Sequence, residues 1–363
     1  MKLGIIFGGR SGEHEVSLMS AASVIGAVDK SKYQVVQIGI TRGGEWLLYD
    51  GPPARIESGE WEREARAALA AEPEKYGFTV LGTGGRNLKE LVDFAFPVLH
   101  GPYGEDGTIQ GLFEMAGIPY AGSGVTGSAA AMDKILAKAI FAREGLPQCE
   151  YLSLQAEELE EDIAEDRRLP LPGRWEEKGL SPRWFVKPAN MGSSVGISRA
   201  TDRDSMAAAL KEAARFDSRI LIEEGIDGRE LEVAILGNHN PQAAEVGEII
   251  PSAAFYDYHA KYLDGGRSRL CIPAEISRET AERLKDIALR AYKALDCCGY
   301  ARVDFFLERG TDQLYLNEVN TIPGFTRFSM FPLLWGAAGV PYPELIERIV
   351  ELGYERYHAK NHR

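Results

Sequence analysis

The stretch ARVDFFLERGTDQLYLNEVN (residues 301–320) decides the fold of the C-terminal part of the chain. Two apolar runs flank a polar turn at 309–313, which is the pattern of a β-hairpin. Because side chains alternate along a strand, Arg302 and Asp304 share one face, and so do Glu318 and Asn320. Two carboxylates and an amide oxygen side by side would suit Mg²⁺ bridged to phosphates. A solvated face carrying charges for solubility has the same pattern, so this stretch alone leaves both interpretations open.

Upstream of this stretch, FVKPANMGSSVG (residues 185–196) joins an apolar strand to a loop rich in glycine and serine. Lys187 ends the strand. The backbone N–H groups and hydroxyls of such a loop, here including Ser193 and Ser194, can cradle a phosphate. The G-x-x-x-x-G-K-[ST] order of a Walker A motif is absent. An ordinary flexible turn has the same composition, so the loop by itself is a weak indication of phosphate binding.

The N-terminal part predicts an α/β unit with a mostly parallel sheet. Short apolar runs at 3–7, 35–40 and 92–99 are typical of strands, and residues 16–28 have apolar residues at helical spacing. The helix follows a glycine turn in FGGRSGEHEVSLMS (residues 7–20). This turn lacks the G-x-G-x-x-G fingerprint of a dinucleotide site.

Two groups of polar residues stand at ends of these N-terminal elements. Glu13, His14 and Glu15 fall where the first helix begins, either as partners of the helix dipole or as carboxylates that hold a substrate ammonium. His100 opens HGPYGEDG, directly after the strand that ends at Leu99. Open α/β sheets bind ligands at that position, so a role in a site is favoured over a capped loop histidine.

The chain is too long for one ordinary core, at 363 residues, and predicts two or three lobes. The glycine-rich stretch GSGVTG (residues 122–127) is a plausible first boundary. Beyond residue 185 the pattern is rich in strands, interrupted by helices at 280–295 and 342–357. We therefore predict an α/β lobe followed by two α+β lobes, with boundaries at 1–122, 123–227 and 228–363.

Two segments receive no firm assignment. Residues 155–182 contain the acidic run EELEEDIAED and a polar connection, and we assign no chemistry to them. FYDYHAKY (residues 255–262) combines aromatic residues with a lysine. It fits either a closing lid or a loop anchored to the core.

Composition excludes several classes of protein. The chain has 41 Lys and Arg against 54 Asp and Glu, a formal net charge of -13. This acidity argues against non-specific binding to nucleic acid or to an anionic membrane. No signal peptide or membrane-spanning run is evident. The four cysteines form no Cys-x-x-Cys pair, which favours a reducing, cytoplasmic setting.

Taken together and in this order, the motifs resemble those of the D-alanine–D-alanine ligase family. The resemblance runs from GGRSGEHEVSL near the N-terminus to NTIPGFTRFSM near the C-terminus. It implies a three-lobed ATP-grasp fold, with ATP between the central and C-terminal lobes. It also implies ATP-dependent joining of two D-alanines for peptidoglycan synthesis, two Mg²⁺ or Mn²⁺ ions per site, and a homodimer.

The resemblance assigns roles at the nucleotide. Lys134, Lys187 and Ser194 resemble residues that hold ATP phosphates, and Lys261 resembles a lid lysine that reaches the γ-phosphate. The remaining ATP contacts by resemblance are the adenine-reading Glu223, Glu224 and Ile226 and the ribose-binding Glu230. Asp304, Glu318 and Asn320 match the metal ligands, in agreement with the hairpin argument.

The resemblance also assigns roles at the amino acids. Glu15 matches the carboxylate that orients the first D-alanine's ammonium, and Ser193 and Tyr262 match the residues that fix Glu15 and the closed lid. His100 resembles a residue that lines the first-substrate pocket. The groups at the second substrate, by resemblance, are the oxyanion donors Arg302 and Gly324 and the carboxylate-binding Ser329 and Met330.

Other activities stay open at this point. A D-alanine–D-serine or D-alanine–D-lactate ligase would share most of these motifs, although Tyr262 argues against the lactate form. Another ATP-grasp acid–amine ligase is a further alternative. A nucleotide sensor without turnover would not need Arg302 together with two metal carboxylates, yet all of them are present. The chain departs from some relatives at Gly225, where they carry tryptophan, and at Met330, where they carry leucine.

Overall fold

The first sheet is mostly parallel, as the N-terminal sequence predicts. The computed structural model describes residues 1–81, 86–157, 183–250 and 269–361. The first sheet has the order β3-β2-β1-β4, in which β1 pairs in parallel with β2 and β4, and β3 is an antiparallel edge. Its strands are β1 (Lys2–Gly8), β2 (Gln34–Ile40), β3 (Trp46–Tyr49) and β4 (Phe94–Pro97). The accompanying helices are α1 (His14–Ala27), α2 (Pro53–Glu57), α3 (Trp61–Ala71), α4 (Pro73–Tyr76), α5 (Leu88–Leu91) and α6 (Thr108–Ala116).

The second sheet is antiparallel and has the order β5-β8-β6-β7. Its strands are β5 (Tyr151–Gln155), β6 (Trp184–Pro188), β7 (Ser198–Ala200) and β8 (Arg219–Glu224), and the helices of this region are α7 (Val125–Met132), α8 (Lys134–Arg143) and α9 (Arg203–Ala213). Helix α9 lies outside our predicted elements. It begins with a reciprocal capping box between Asp202 and Ser205 and buries Met206 and Leu210 against the sheet.

The third sheet is also antiparallel and contains the predicted hairpin. It has the order β11-β10-β9-β12-β13. Its strands are β9 (Gly228–Leu236), β10 (Gln242–Ile250), β11 (Arg269–Cys271), β12 (Tyr300–Glu308) and β13 (Leu314–Asn320). The helices of this part of the chain are α10 (Arg278–Ala294), between β11 and β12, and α11 (Met330–Ala337) and α12 (Tyr342–Asn361), after β13. In the hairpin, Asp304 pairs with Glu318 and Arg302 pairs with Asn320. The α/β and α+β fold class is confirmed.

Hydrophobic cores cross the predicted lobe boundaries at two places. Phe141 of α8 is fully buried in one cluster with residues of the third sheet, such as Val233 and Phe305. The C-terminal helix α12 packs on the first sheet, where Ile349 shares a cluster with Phe96. The packing therefore joins residues from both sides of each predicted boundary. The division into lobes at 1–122, 123–227 and 228–363 stays a prediction.

Two of the segments discussed from sequence fall largely outside the described residues. They are the acidic segment, described only up to residue 157, and the aromatic segment 255–262. Among the described residues, no helix is both long enough and apolar enough to span a membrane.

Candidate active site

A cavity of about 980 Å³ is lined by strands of the second and third sheets and by loops, among them the loops of the N-terminal region that carry Glu13, His100 and Glu105. This volume lies at the upper end of those that hold small ligands. The predicted site residues that line it are His100, Lys134, Lys187, Ser193, Ser194, Glu223, Glu224, Ile226, Glu230, Arg302, Asp304, Glu318, Asn320 and Gly324. Residues far apart in the sequence are thus brought to one enclosed space.

The polar face of the hairpin forms one wall of the cavity. Arg302 donates to Asp304 through Nε and Nη2, each at 2.7 Å, and the amide nitrogen of Asn320 donates to Oδ2 of Asp304 at 2.9 Å. Glu318 lies opposite Asp304 on the neighbouring strand. The two carboxylates and the amide therefore lie side by side, which favours the metal-site interpretation over a solvated face.

A third carboxylate on this wall was missing from our sequence analysis. Glu232 of β9 lies opposite Asp304, is 5% exposed and places Oε2 3.1 Å from Nε of Arg302. Arg302 is thus held between Glu232 and Asp304. The sequence contains the signal for this carboxylate. Glu230 and Glu232 stand two positions apart in a strand, and side chains two positions apart share a face.

The opposite wall holds a buried cluster of charges around Glu223 at the end of β8. Lys138 lies 2.7 Å from Oε1 of Glu223, and Lys187 contacts Oε2. Burial by itself would raise the pKa of Glu223, but the two ammonium groups bring it down to about 2. Glu223 is therefore ionised at neutral pH. Nearby, Lys134 donates to the carbonyl of Met191 at 2.6 Å.

The glycine- and serine-rich loop has an unusual backbone. Ser193 and Ser194 have φ of 46° and 61°, in the left-handed region that non-glycine residues seldom adopt. Such conformations cost about 1–3 kcal/mol each and cluster at functional sites. The loop also meets the N-terminal lobe, because the hydroxyl of Ser193 donates to a carboxylate oxygen of Glu13.

The carboxylate at this contact is Glu13, and the assignment of Glu15 from sequence is wrong. Glu13 is 6% exposed and lines the cavity. Glu15 is an exposed residue one position into α1, and it pairs with Arg42 on the outer surface. Both stand in the same EHE triplet. At the start of α1 the backbone directs the carboxylate of Glu13 into the cavity and that of Glu15 to the outer surface.

Two glycines lie against the carboxylate of Glu13. A Cβ atom at Gly101 or at Gly192 would overlap the carboxylate of Glu13. Below it, the hydroxyl of Ser11 accepts from the backbone N–H of Glu13 at 3.1 Å and donates to the carbonyl of His100 at 2.7 Å. The carboxylate is therefore fixed where the loops of two lobes meet.

His100 and Glu105 both bind the backbone of Ile322. Nδ1 of His100 lies 2.9 Å from the carbonyl of Ile322 and carries the proton, since a carbonyl can only accept. Oε1 of Glu105 accepts from the N–H of Ile322 at 3.1 Å, and Oε2 accepts from Gly101 at 2.8 Å. Together they hold the segment Ile322–Gly324 in place. Glu105 stands in the same HGPYGEDG motif as His100, but its residue type and spacing alone did not mark it as a site residue.

Burial shifts both of these titrating groups. It lowers the pKa of His100 to about 4, so the imidazole is neutral at physiological pH. Enclosure in the wall of the cavity raises the pKa of Glu105 to about 8, with the nearby Glu13 adding to the effect. His100 therefore acts here as a neutral hydrogen-bonding group.

The positions predicted for the second substrate lie beyond Gly324. A Cβ at Gly324 would lie 3.0 Å from Oγ of Ser329, which accepts from the N–H of Thr326 at 3.0 Å. Ser329 is the residue that precedes α11. The side chain of Met330 is buried beneath β10, where a Cβ at Gly247 would lie 2.5 Å from its sulfur. A substrate contact by the Met330 side chain is therefore corrected, because that side chain belongs to the core.

Lys261 and Tyr262 lie outside the described residues.

Models of known protein families match the two halves of the chain. The family model described as D-ala D-ala ligase N-terminus matches residues 2–123, and that described as D-ala D-ala ligase C-terminus matches residues 140–351. The chain belongs to the D-alanine–D-alanine ligase family. The resemblance found in the sequence motifs is thereby confirmed.

Relatives of the D-alanine–D-alanine ligase family match the chain over nearly its full length. A D-alanine–D-alanine ligase of Ruminiclostridium cellulolyticum is 51% identical over 366 residues, covering 98% of this chain and 96% of that protein. The VanG D-Ala:D-Ser ligase of Enterococcus faecalis has a similar structure, with a TM-score of 0.79, 34% identity and coverage of 97% and 99%. The Bacillus anthracis D-alanine–D-alanine ligase, solved with ATP, gives a TM-score of 0.71, 28% identity and coverage of 99% and 100%. The predicted ATP-grasp architecture is confirmed by these likenesses.

Proposed function

We propose that this chain joins two molecules of D-alanine into D-alanyl-D-alanine, with ATP as the energy source and an acyl phosphate as intermediate. The observation that carries the proposal is the meeting of three kinds of group in one cavity. These are the Lys187–Glu223 pair, the Asp304–Glu318 pair beside Arg302, and the carboxylate of Glu13. A nucleotide, its metal ions and an ammonium substrate would each find complementary groups there.

ATP would occupy the side of the cavity formed by the second sheet and its loops. Lys134, Lys187 and Ser194 are proposed to hold the phosphates, with Lys261 reaching the γ-phosphate. Ammonium groups and loop N–H groups compensate phosphate charge, as in phosphoryl transfer generally. The groups proposed for the nucleoside are Glu223, Glu224 and Ile226 at the adenine and Glu230 at the ribose.

Asp304, Glu318 and Asn320 fit a site for Mg²⁺ or Mn²⁺, and we propose two ions. Their oxygens are hard ligands and lie on one face of the hairpin. When bound, the ions would neutralise charge on the phosphates during transfer. Arg302 donates to Asp304 in this structure, and its contact with Glu232 gives it a second carboxylate partner.

The chemistry follows from the weakness of a carboxylate as an electrophile. Transfer of the γ-phosphoryl group to the first D-alanine makes an acyl phosphate, whose carbonyl carbon the amine of the second D-alanine can attack. The new C–N bond forms as phosphate leaves and the amine loses a proton. Arg302 and the N–H of Gly324 are proposed to stabilise the oxyanion, and one such donor is typically worth about 3–4 kcal/mol.

Glu13, in the place first given to Glu15, is proposed to orient the ammonium of the first D-alanine. Its hydrogen bond from Ser193 ties this position to the phosphate loop. Ammonium binding and phosphate binding would therefore be aligned by one contact. Ser329 is proposed to bind the carboxylate of the second D-alanine, and Tyr262 to act on the lid.

A second candidate is ligation of D-serine at the second site, which the structural likeness to the D-Ala:D-Ser ligase favours. D-lactate ligation is a weaker alternative. A homodimer, a cytoplasmic location and a role in peptidoglycan synthesis are further proposals that rest on the family.

The test is a product assay with purified protein, Mg²⁺ and ATP. Phosphate release should require D-alanine, and mass spectrometry should identify D-alanyl-D-alanine. Adding equal concentrations of D-serine or D-lactate measures the choice at the second site. Release with L-alanine, or with no amino acid, would contradict the proposal, and a dominant mixed dipeptide would favour the D-serine alternative.

A further inference from the structure

Lys138 is a buried charged residue to which the proposed chemistry gives no role. Its side chain is 2% exposed, and its partner Glu223 is 3% exposed. It stands one turn after Lys134 on α8. It lies 3.5 Å from the sulfur of Cys149 and 5.2 Å from the centre of the Tyr151 ring. A lysine is seldom buried this fully. Its position directly behind the cavity wall that carries Glu223 therefore needs a physical reason.

The two lysines on Glu223 engage different oxygens and have different access to the cavity. Lys138 binds Oε1 from behind the wall, while Lys187 contacts Oε2, is 12% exposed and lines the cavity. A ligand in the cavity can therefore reach Lys187 but not Lys138. Two ammonium groups and one carboxylate leave a net charge of +1, which suits an anionic ligand.

We propose that Lys138 is the permanent counterion of Glu223 and thereby frees Lys187 to move to the nucleotide's phosphates. The inference rests on the proposed function of the cavity as an ATP site and adds a positioning residue to it. With only one lysine, Glu223 would be left buried and unpaired whenever that lysine bound a phosphate. Leaving a buried charge without its partner is strongly unfavourable, so the second lysine makes the exchange possible.

The proposal predicts that loss of Lys138 affects phosphate-bearing ligands more than the nucleoside. In Lys138→Met, Lys187 would stay on Glu223, and ATP and ADP would lose its contribution. Adenosine makes no phosphate contact and would bind as before. A purely structural role in anchoring α8 to the second sheet would weaken all three ligands together, because it would distort the whole wall.

The experiment measures the dissociation constants of ATP, ADP and adenosine by calorimetry for wild-type protein and Lys138→Met. We expect about tenfold or greater weakening of ATP and ADP, the size of one lost charged contact, and less than about twofold change for adenosine. Lys285→Met is the matched control. Lys285 also pairs with a glutamate, Glu245, at 3.5 Å, but it lies on a different helix, α10, and not on Glu223. It should change none of the three constants.

A second variant keeps the test decisive if Lys138→Met does not fold. In Lys138→Met/Glu223→Gln the carboxylate that holds Lys187 is gone, so the preference for ATP over adenosine should return towards its wild-type ratio. Equal weakening of ATP and adenosine in Lys138→Met, or an unrestored ratio in the double variant, would overturn the role of Lys138. Wild-type protein that fails to bind ATP would overturn the proposed function as well, and so the two failures are distinguishable.

Discussion

Glu13 and Glu15 stand two positions apart, and substituting each by glutamine separates their roles. Glu13→Gln should raise the KM for D-alanine at the first site by about tenfold or more, since a charged hydrogen bond is worth roughly 1.5–3 kcal/mol. Glu15→Gln should leave it nearly unchanged, because its partner Arg42 is exposed and such surface pairs contribute about 0–1 kcal/mol. Initial rates against D-alanine concentration give the comparison. A large effect of Glu15→Gln alone would restore the sequence-based assignment.

The raised pKa of Glu105 predicts a pH dependence of stability. Folded protein keeps a proton on this carboxyl up to about pH 8, whereas the unfolded chain releases it near its ordinary value of 4.5. The folded state therefore binds more protons between these limits, and its contribution to the free energy of unfolding declines as pH rises. Glu105→Gln removes this dependence.

Urea unfolding of wild type and Glu105→Gln at pH 6.5 and pH 8 tests it. That window also avoids His100, whose lowered pKa makes it act between about 4 and 6.5. Wild type should lose more stability across the window than the variant. Parallel curves would show that Glu105 is ionised throughout.

At the level of single residues, sequence reasoning succeeded where alternation along a strand fixed the answer. Asp304 and Glu318 had to share a face once the hairpin was predicted. It failed where the answer depended on the direction of one helical turn, as for Glu13 and Glu15. It also could not place Lys138, because its importance comes from β8 delivering Glu223 to the same point.

Within the hairpin, Glu318 is the residue whose loss should matter most. Glu318→Gln keeps the shape of the side chain but removes one of two carboxylates that would offset phosphate charge. We expect near-complete loss of turnover with the fold retained, and partial recovery at high Mg²⁺. The readout is phosphate release across a magnesium titration, with circular dichroism to follow folding.

Glu308→Gln is the control for that change, because Glu308 ends β12 beside the turn and accepts from the hydroxyl of Thr311 at 2.9 Å. It should keep its turnover. Wild-type rates in Glu318→Gln at limiting magnesium would rule out a metal role for the hairpin.

The elements that sequence predicted well are those with strong periodicity. The first helix, the β12–β13 hairpin and helices α10 and α12 appear close to their expected positions. Helix α9 was missed because its run of alanines has few large apolar residues to mark a face, although Asp202 and Ser205 carried a capping signal. The three-residue strands β7 and β11 are too short to show alternation.

For the whole molecule, the packing of α12 on the first sheet makes Gly353 a critical position. An added Cβ would lie 2.5 Å from Cζ of Phe94 and 2.6 Å from the carbonyl of Tyr120. Gly353→Ala should therefore destabilise the protein by about 1–3 kcal/mol, the usual cost of overpacking. Gly336→Ala in α11 meets nothing within 4 Å and should be neutral or stabilising by up to about 1 kcal/mol.

Thermal unfolding of both alanine variants measures these changes in stability. Because α12 and the first sheet share one cluster, Gly353→Ala should lower the melting temperature of the N-terminal region along with the rest, in a single transition. A variant in which only the C-terminal helix melts early would show that the two regions unfold independently.

The docking of α12 against β4 also has a consequence for the order of events during synthesis. Tyr354 lies on Phe94, with ring centroids 4.9 Å apart, and Arg356 donates to the hydroxyl of Tyr120 at 3.1 Å. The first sheet leaves the ribosome well before α12, the helix that covers it, has been translated. We therefore expect the nascent N-terminal region to expose apolar surface until α12 is made, which makes it a natural client for chaperones that bind chains still attached to the ribosome.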